Sequence, residues 1–241
     1  MSDNQILRTY WEGSLSNLEI LSIKSFIENG HTIFIYTYDK DLKSFDRNMI
    51  IRDANEILPE KRRLEIKGIP TIFSNLFRFY LLDIFGGWWT DLDIVLLKSI
   101  TTESPLVFSL HNIADGNSSG LNAAPLKAPK SHIVLKSLIK AFEMLDKNDL
   151  RQGIGPKLVQ KEVYALGLEK YVVPPEIYSP IGWAEAHRIV EPGFGFNKIT
   201  PNTVAVHLFN YMWSYGRKLD KNGKYDPESL YEHLKKKYGV S

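Results

Sequence analysis

Apolar positions along this chain fall into short runs with two periods, and the punctuation between them predicts where each element begins and ends. Residues 6–11, Ile-Leu-Arg-Thr-Tyr-Trp, are apolar and aromatic enough for a strand, and Gly13 breaks the run. Leu18, Leu21, Phe26 and Ile27 then fall near helical spacing, Ser16 with Glu19 predicts a capping box, and Gly30 predicts the stop. Residues 31–39 return to a strand pattern. Strand, helix and strand in succession predict a parallel βαβ unit, whose ligand sites lie beyond the carboxyl ends of the strands. Trp11 and Asp39 stand at such ends.

Residues 46–70 are charged and poorly periodic, which predicts a loop region with short elements. A helix is expected over 74–85, capped by Ser74 and ended by Gly86-Gly87, with extended chain in Trp-Trp-Thr and Ile-Val-Leu-Leu on either side of Asp91 and Asp93. Residues 105–110 read as a buried strand, 131–145 as an amphipathic helix after Pro129, and 153–167 as a helix with Pro156 in its first turn and Gly167 at its stop. A late strand over 203–208 precedes the aromatic segment 209–218. The last helix is expected at about 226–238, with Asp226 as cap, Pro227 in the first turn, and Leu230 and Leu234 on one face.

The 241 residues suffice for a large core and predict one domain over 1–241. A net charge of +2 lacks the positive excess that nucleic-acid binding requires. Without cysteine there is no thiolate ligand, nucleophile or disulfide, so any metal must be held by oxygen or imidazole nitrogen. The first residues lack the apolar core of a signal peptide and no apolar run reaches membrane-spanning length, so a cytoplasmic location is expected. Lys235, Lys236 and Lys237 form a basic helix end, which allows at most a peripheral membrane contact.

Asp91 and Asp93 are the chemically informative pair. Carboxylates at i and i+2 point to opposite faces of a regular strand, so both reach one cation only where the backbone turns, and the double glycine before them makes a turn plausible. Such a pair offers hard oxygen ligands to Mn²⁺ or Mg²⁺, whose remaining positions commonly go to water and phosphate oxygens. A nucleotide diphosphate is the matching ligand; two solvated turn aspartates are the plain alternative.

The run from Asn75 through Arg78, Gly86-Gly87 and Asp91-Leu92-Asp93 resembles the signature of the Asp-x-Asp sugar transferases, family 32 of the glycosyltransferases. Tyr-Trp-Glu-Gly at 10–13, Gly-Ile-Gly-Pro at 153–156 and Val-His-Leu-Phe-Asn at 206–210 resemble further family elements in the same order. Large clostridial glucosylating toxins are similar in these elements. The resemblance implies a GT-A fold, that is, a Rossmann-like α/β domain with a mixed sheet. It also implies a UDP-sugar donor, a divalent metal (Mn²⁺ or Mg²⁺), a carbohydrate acceptor and retention of anomeric configuration, in polysaccharide or glycoconjugate assembly.

Roles follow from that resemblance. Asp93, Asp91 and the late His207 would hold the metal. Tyr10 and Trp11 would bind the donor, with the Trp11 indole stacked on uracil. Arg78, one helical turn after Asn75, would fork onto phosphate or sugar oxygens. Position 75 is Asp in most of the family; Asn keeps an acceptor and loses the charge. Trp213 with Arg217 or Lys218 would cover the diphosphate and exclude water. No carboxylate stands out as a nucleophile on the other face of the sugar, which favours a front-face route. Two other readings are a nucleotide-sugar or glycan-binding module without turnover, and a haloacid-dehalogenase-type phosphatase. The second normally carries its Asp-x-Asp after the first strand, not at residue 91.

Overall fold

The computed structural model describes residues 4–66, 70–113, 118–146, 149–150, 153–214 and 217–241. Strand β1 (Ile6–Tyr10) and β2 (Thr32–Thr37) pair in parallel through helix α1 (Asn17–Glu28), as the opening periodicity predicts. The Ser16–Glu19 capping box forms, and Gly30 leaves the helix at φ +85°. The charged segment after β2 departs from the loop expectation. It contains β3 (Met49–Asp53), parallel to β2, and the short helix α2 (Glu60–Glu65).

Helix α3 runs from Pro70 to Phe85, a full turn earlier than expected, so Ser74 lies inside it and does not cap it. Strands β4 (Gly87–Trp89) and β5 (Ile94–Leu96) flank the two aspartates, followed by β6 (Val107–Asn112) and β7 (Ser118–Ala128). Helices α4 (Ile133–Glu143) and α5 (Ile154–Ala165) lie near their predicted places, and β8 (Val172–Val173) and α6 (Pro175–Tyr178) follow. The chain ends with β9 (Ala205–His207), α7 (Asn210–Ser214) and α8 (Leu230–Lys237). The last of these is capped by Ser229, whose side chain accepts from the Glu232 N–H, and not by Asp226; Pro227 stands outside the helix.

Among the described residues the strands form a seven-stranded sheet, ordered β3-β2-β1-β4-β7-β6-β8, and a separate antiparallel pair, β5-β9. The first four strands of the large sheet are mutually parallel, whereas β7 runs antiparallel to both β4 and β6. Two apolar cores result. One packs Phe26, Ile33, Phe77, Trp88, Trp89 and Phe108 about the large sheet, and the other packs Leu18, Leu21, Val95, Trp213, Tyr231 and Leu234 about the strand pair. Helix α1 feeds both, and Asp91 and Asp93 lie on the short link where the chain leaves the first sheet for the second.

No helix among the described residues is long and apolar enough to cross a membrane. In the basic run of α8, Lys236 and Lys237 are exposed but Lys235 is not. Lys235 is buried, donating to the Gly223 carbonyl and paired with Glu232, and Lys237 donates to the Leu97 carbonyl.

Candidate active site

The bend that brings the carboxylates together follows β4 directly. Ile94 N–H donates back to the Asp91 carbonyl at 3.4 Å, and Leu92 in the bend is buried. The double glycine ends α3 as expected but does not itself form this bend: Gly86 (φ +66°) lies so close to Lys130 that any side chain would strike its backbone, and Gly87 already belongs to β4. Asp91 Oδ1 accepts from Trp89 Nε1 at 2.8 Å and from Arg78 at 3.3 Å. Asp93 Oδ2 accepts from the Asn210 backbone N–H at 2.8 Å.

His207 reaches this bend because β9 pairs with β5 in a register that sets His207 opposite Ile94, and the Leu208 N–H donates to the Asp93 carbonyl at 2.7 Å. Its Nε2 lies 3.1 Å from Asp93 Oδ1, near enough for charge attraction but off the line of a hydrogen bond. One ligand atom from each of Asp91, Asp93 and His207 lies within 4.8 Å of the others. Burial opposes ionisation of Asp93, but His207 and the Asn210 N–H outweigh it and hold its carboxyl below the ordinary range.

These residues fit a divalent cation. Asp93 Oδ1 is a buried oxygen with no hydrogen bond, directed at an imidazole nitrogen and sharing its surroundings with a second carboxylate. Two carboxylates and one imidazole form a donor set suited to Mn²⁺ or Mg²⁺.

The other predicted residues separate into those at the carboxyl end of β1 and on α3, and those committed to packing. Trp11 is half-buried at the carboxyl end of β1, and its Nε1 donates to the Gly13 carbonyl. Arg78 is almost fully buried. It donates to the Ala123 carbonyl at 2.7 Å and pairs with Asp91, so it fixes that carboxylate against β7. Burial lowers its pKa, and Asp91 and Asp93 oppose that shift. Asn75 is buried on the same face of α3, where a Cβ added to Gly155 of α5 would fall on its amide.

Tyr10 points into the aromatic core with Tyr38, Phe73 and Phe77, and its hydroxyl donates to Glu12; burial and Glu12 raise its pKa. Trp213, read as a cover for the diphosphate, is fully buried in the second core against Tyr231, with Nε1 donating to the Leu208 carbonyl. Arg217 is exposed, and its charge is among the influences that lower the pKa of His187.

Two neighbours of His207 carried no recognisable signal in the sequence. The buried amide of Asn122, on β7, hydrogen-bonds with His207 Nδ1 at 3.0 Å and so orients the ring. On β6, the ring of His111 faces Phe209, which itself stacks on His207 at 3.9 Å. Burial and the neighbouring His207 bring the His111 pKa down to about 4.

No protein-family model and no curated protein matches the chain. Among solved structures it is similar to one titled "PaToxG Glycosyltransferase", with a TM-score of 0.51 and 15% identity, over 69% of this chain and 70% of that one. The chain has a GT-A-like fold, with the mixed α/β sheet described above.

Proposed function

We propose that the chain is a metal-dependent retaining glycosyltransferase that moves a hexose from a UDP-sugar to a carbohydrate hydroxyl. The observation that carries this reading is the convergence of Asp91, Asp93 and His207 at the carboxyl edge of a GT-A-like sheet. When bound there, a divalent ion would supply Lewis-acid neutralisation of the departing diphosphate. His207 would hold it from the end of β9 and Asp93 from the turn that leads into β5, and Asp91 would be kept in position by Arg78 and Trp89.

The half-buried indole of Trp11, on the strand beside β4, is the platform proposed for uracil. Asn75 is the proposed sugar contact, facing α5 one turn before Arg78. Arg78 acts on the donor mainly through Asp91, since its guanidinium is shared between that carboxylate and the Ala123 carbonyl. The acceptor hydroxyl loses its proton to the leaving phosphate in the front-face route. A role in polysaccharide or glycoconjugate assembly, in the cytoplasm, belongs to the same reading.

The test is UDP release from UDP-glucose, UDP-galactose and their N-acetyl forms, with Mn²⁺ and with EDTA. Turnover of at least one donor is expected with Mn²⁺, and its loss in EDTA. Tight metal-dependent UDP binding with no release from any donor, with or without sugar acceptors, would favour the binding-module reading suggested by the neutral Asn75. Absence of both binding and release would remove the proposal.

A further inference from the structure

We propose that Lys221 is the phosphate-binding cation of this site, holding a nucleoside diphosphate between Trp11 and the Asp91–Asp93–His207 centre; the assignment rests on the function proposed above. Lys221 Nζ lies 5.7 Å from the centre of the Trp11 ring and 2.8 Å from Glu19 Oε1. The same carboxylate oxygen accepts from Asn210 Nδ2 at 3.4 Å, and the Asn210 backbone N–H donates to Asp93. Lys221 and Asn210 therefore bridge the gap from the indole to the metal-binding carboxylate. A diphosphate must follow that path if its base lies on Trp11 and its oxygens reach the metal.

The ammonium is preorganised. The buried Tyr231 donates its hydroxyl to the Lys221 carbonyl at 2.9 Å, the buried Lys235 donates to the Gly223 carbonyl at 3.2 Å, and Asn222 Oδ1 accepts the Asn17 N–H at 2.9 Å. Because these bonds fix the backbone at 221–223, the side chain is held beside Trp11 and Glu19. Glu19, wholly buried, takes one of the three ammonium protons, while 27% of the Lys221 side chain remains open to solvent. The N-terminus of α1 offers little in competition. Its Asn17 N–H is taken by Asn222 and the Ser16 N–H by Glu19.

Calorimetry with UDP and with uridine, each in Mn²⁺, tests the assignment on the wild type, Lys221→Met and Lys221→Arg. Lys221→Met keeps the stem and removes the charge; it is expected to weaken UDP roughly ten- to a hundredfold, as for loss of a charged hydrogen bond. Uridine binding should be unchanged, the salt dependence of UDP binding should flatten, and Lys221→Arg should restore most of the affinity. If Lys221→Met fails to fold because Glu19 is left unpaired, the double variant Glu19→Gln/Lys221→Met carries the same measurement without the buried charge. Equal UDP affinity in wild type and the Met variant overturns the role of Lys221 and leaves the proposed function standing. Equal loss of uridine and UDP also overturns it, since the lysine would then only shape the indole platform. A wild type that binds no UDP in Mn²⁺ overturns both.

Discussion

Asp93 and Trp11 differ in how much of the fold depends on them, and that sets what each substitution measures. Asp93→Ala removes an acceptor from the Asn210 N–H and the partner of His207, yet leaves the β5–β9 pairing in place. Mn²⁺ at a hundred times its Kd would stabilise the wild type by about 2.7 kcal/mol. Asp93→Ala is expected to lose that increment in thermal melts with and without metal, and an undiminished shift would show that the ion binds elsewhere. Trp11 is only half-buried, so Trp11→Ala should leave melting nearly unchanged while costing about 1–3 kcal/mol of UDP affinity, the range for base–aromatic stacking. Arg78 is the contrast: Arg78→Met leaves the Ala123 carbonyl without its buried donor and the partly exposed Asp91 without its cation, and should cost about 1–3 kcal/mol in urea unfolding. The Asp pair was legible because its members are two residues apart beside a turn signal. Asn122 was not, because its contact with His207 joins positions 85 apart and a lone Asn in a small-residue run announces nothing.

At the scale of elements, the sequence displayed those whose own side chains pattern them and concealed those held by neighbours. The helices α1, α4 and α5 and the strands β1, β2 and β6 carry their apolar period and stop signals within themselves. Strand β7 does not: Ser-Ser-Gly-Leu-Asn-Ala-Ala-Pro-Leu-Lys-Ala is rich in residues of low strand preference, and it is extended because β4 and β6 pair with it on both sides. The exposed half of β3 made its pattern look like loop. Asp226-Pro227 imitates a helix start, but Ser229 caps α8 one turn later. The α3–α5 contact was equally hidden, and it gives a double-mutant test. Gly155→Ala places a methyl on the Asn75 amide and should destabilise by about 1–3 kcal/mol; the loss should shrink in an Asn75→Ala background, with additive losses counting against the contact. Asn75→Asp keeps the volume and restores a charge. It should re-rank kcat/KM among UDP-glucose, UDP-galactose and their N-acetyl forms with little change in UDP affinity, whereas an unchanged ranking would remove Asn75 from the sugar site.

For the whole molecule, stability depends on how the two cores are tied together, and several ties titrate. His31 sits buried at the turn into β2. Its Nε2 accepts the Ile100 N–H at 3.2 Å beyond β5 while Nδ1 lies 2.8 Å from the Asn4 carbonyl. That arrangement needs a neutral ring, since a proton on Nε2 would oppose the Ile100 N–H. Burial lowers the His31 pKa, and His111 is lowered to about 4 by burial and His207. Below the ordinary histidine pKa of about 6.5 the unfolded chain binds protons that the folded one refuses, so stability must fall as pH drops from there toward the folded values. The slope is at most about 1.4 kcal/mol per pH unit for each histidine. Asp93 acts lower down: its folded pKa is depressed, so its contribution stands above the unfolded carboxylate value and is lost only in stronger acid, as pH falls through the folded one. Unfolding free energies measured in urea without metal from pH 7.5 to 4.5 should therefore decline steadily. His31→Gln, which cannot titrate but retains a hydrogen-bonding amide, should show a shallower decline even if it starts lower. An equal slope in wild type and variant would mean that His31 accepts a proton in the folded state, and that the corner joining α1, β2 and the chain after β5 opens in mild acid without loosening the two cores.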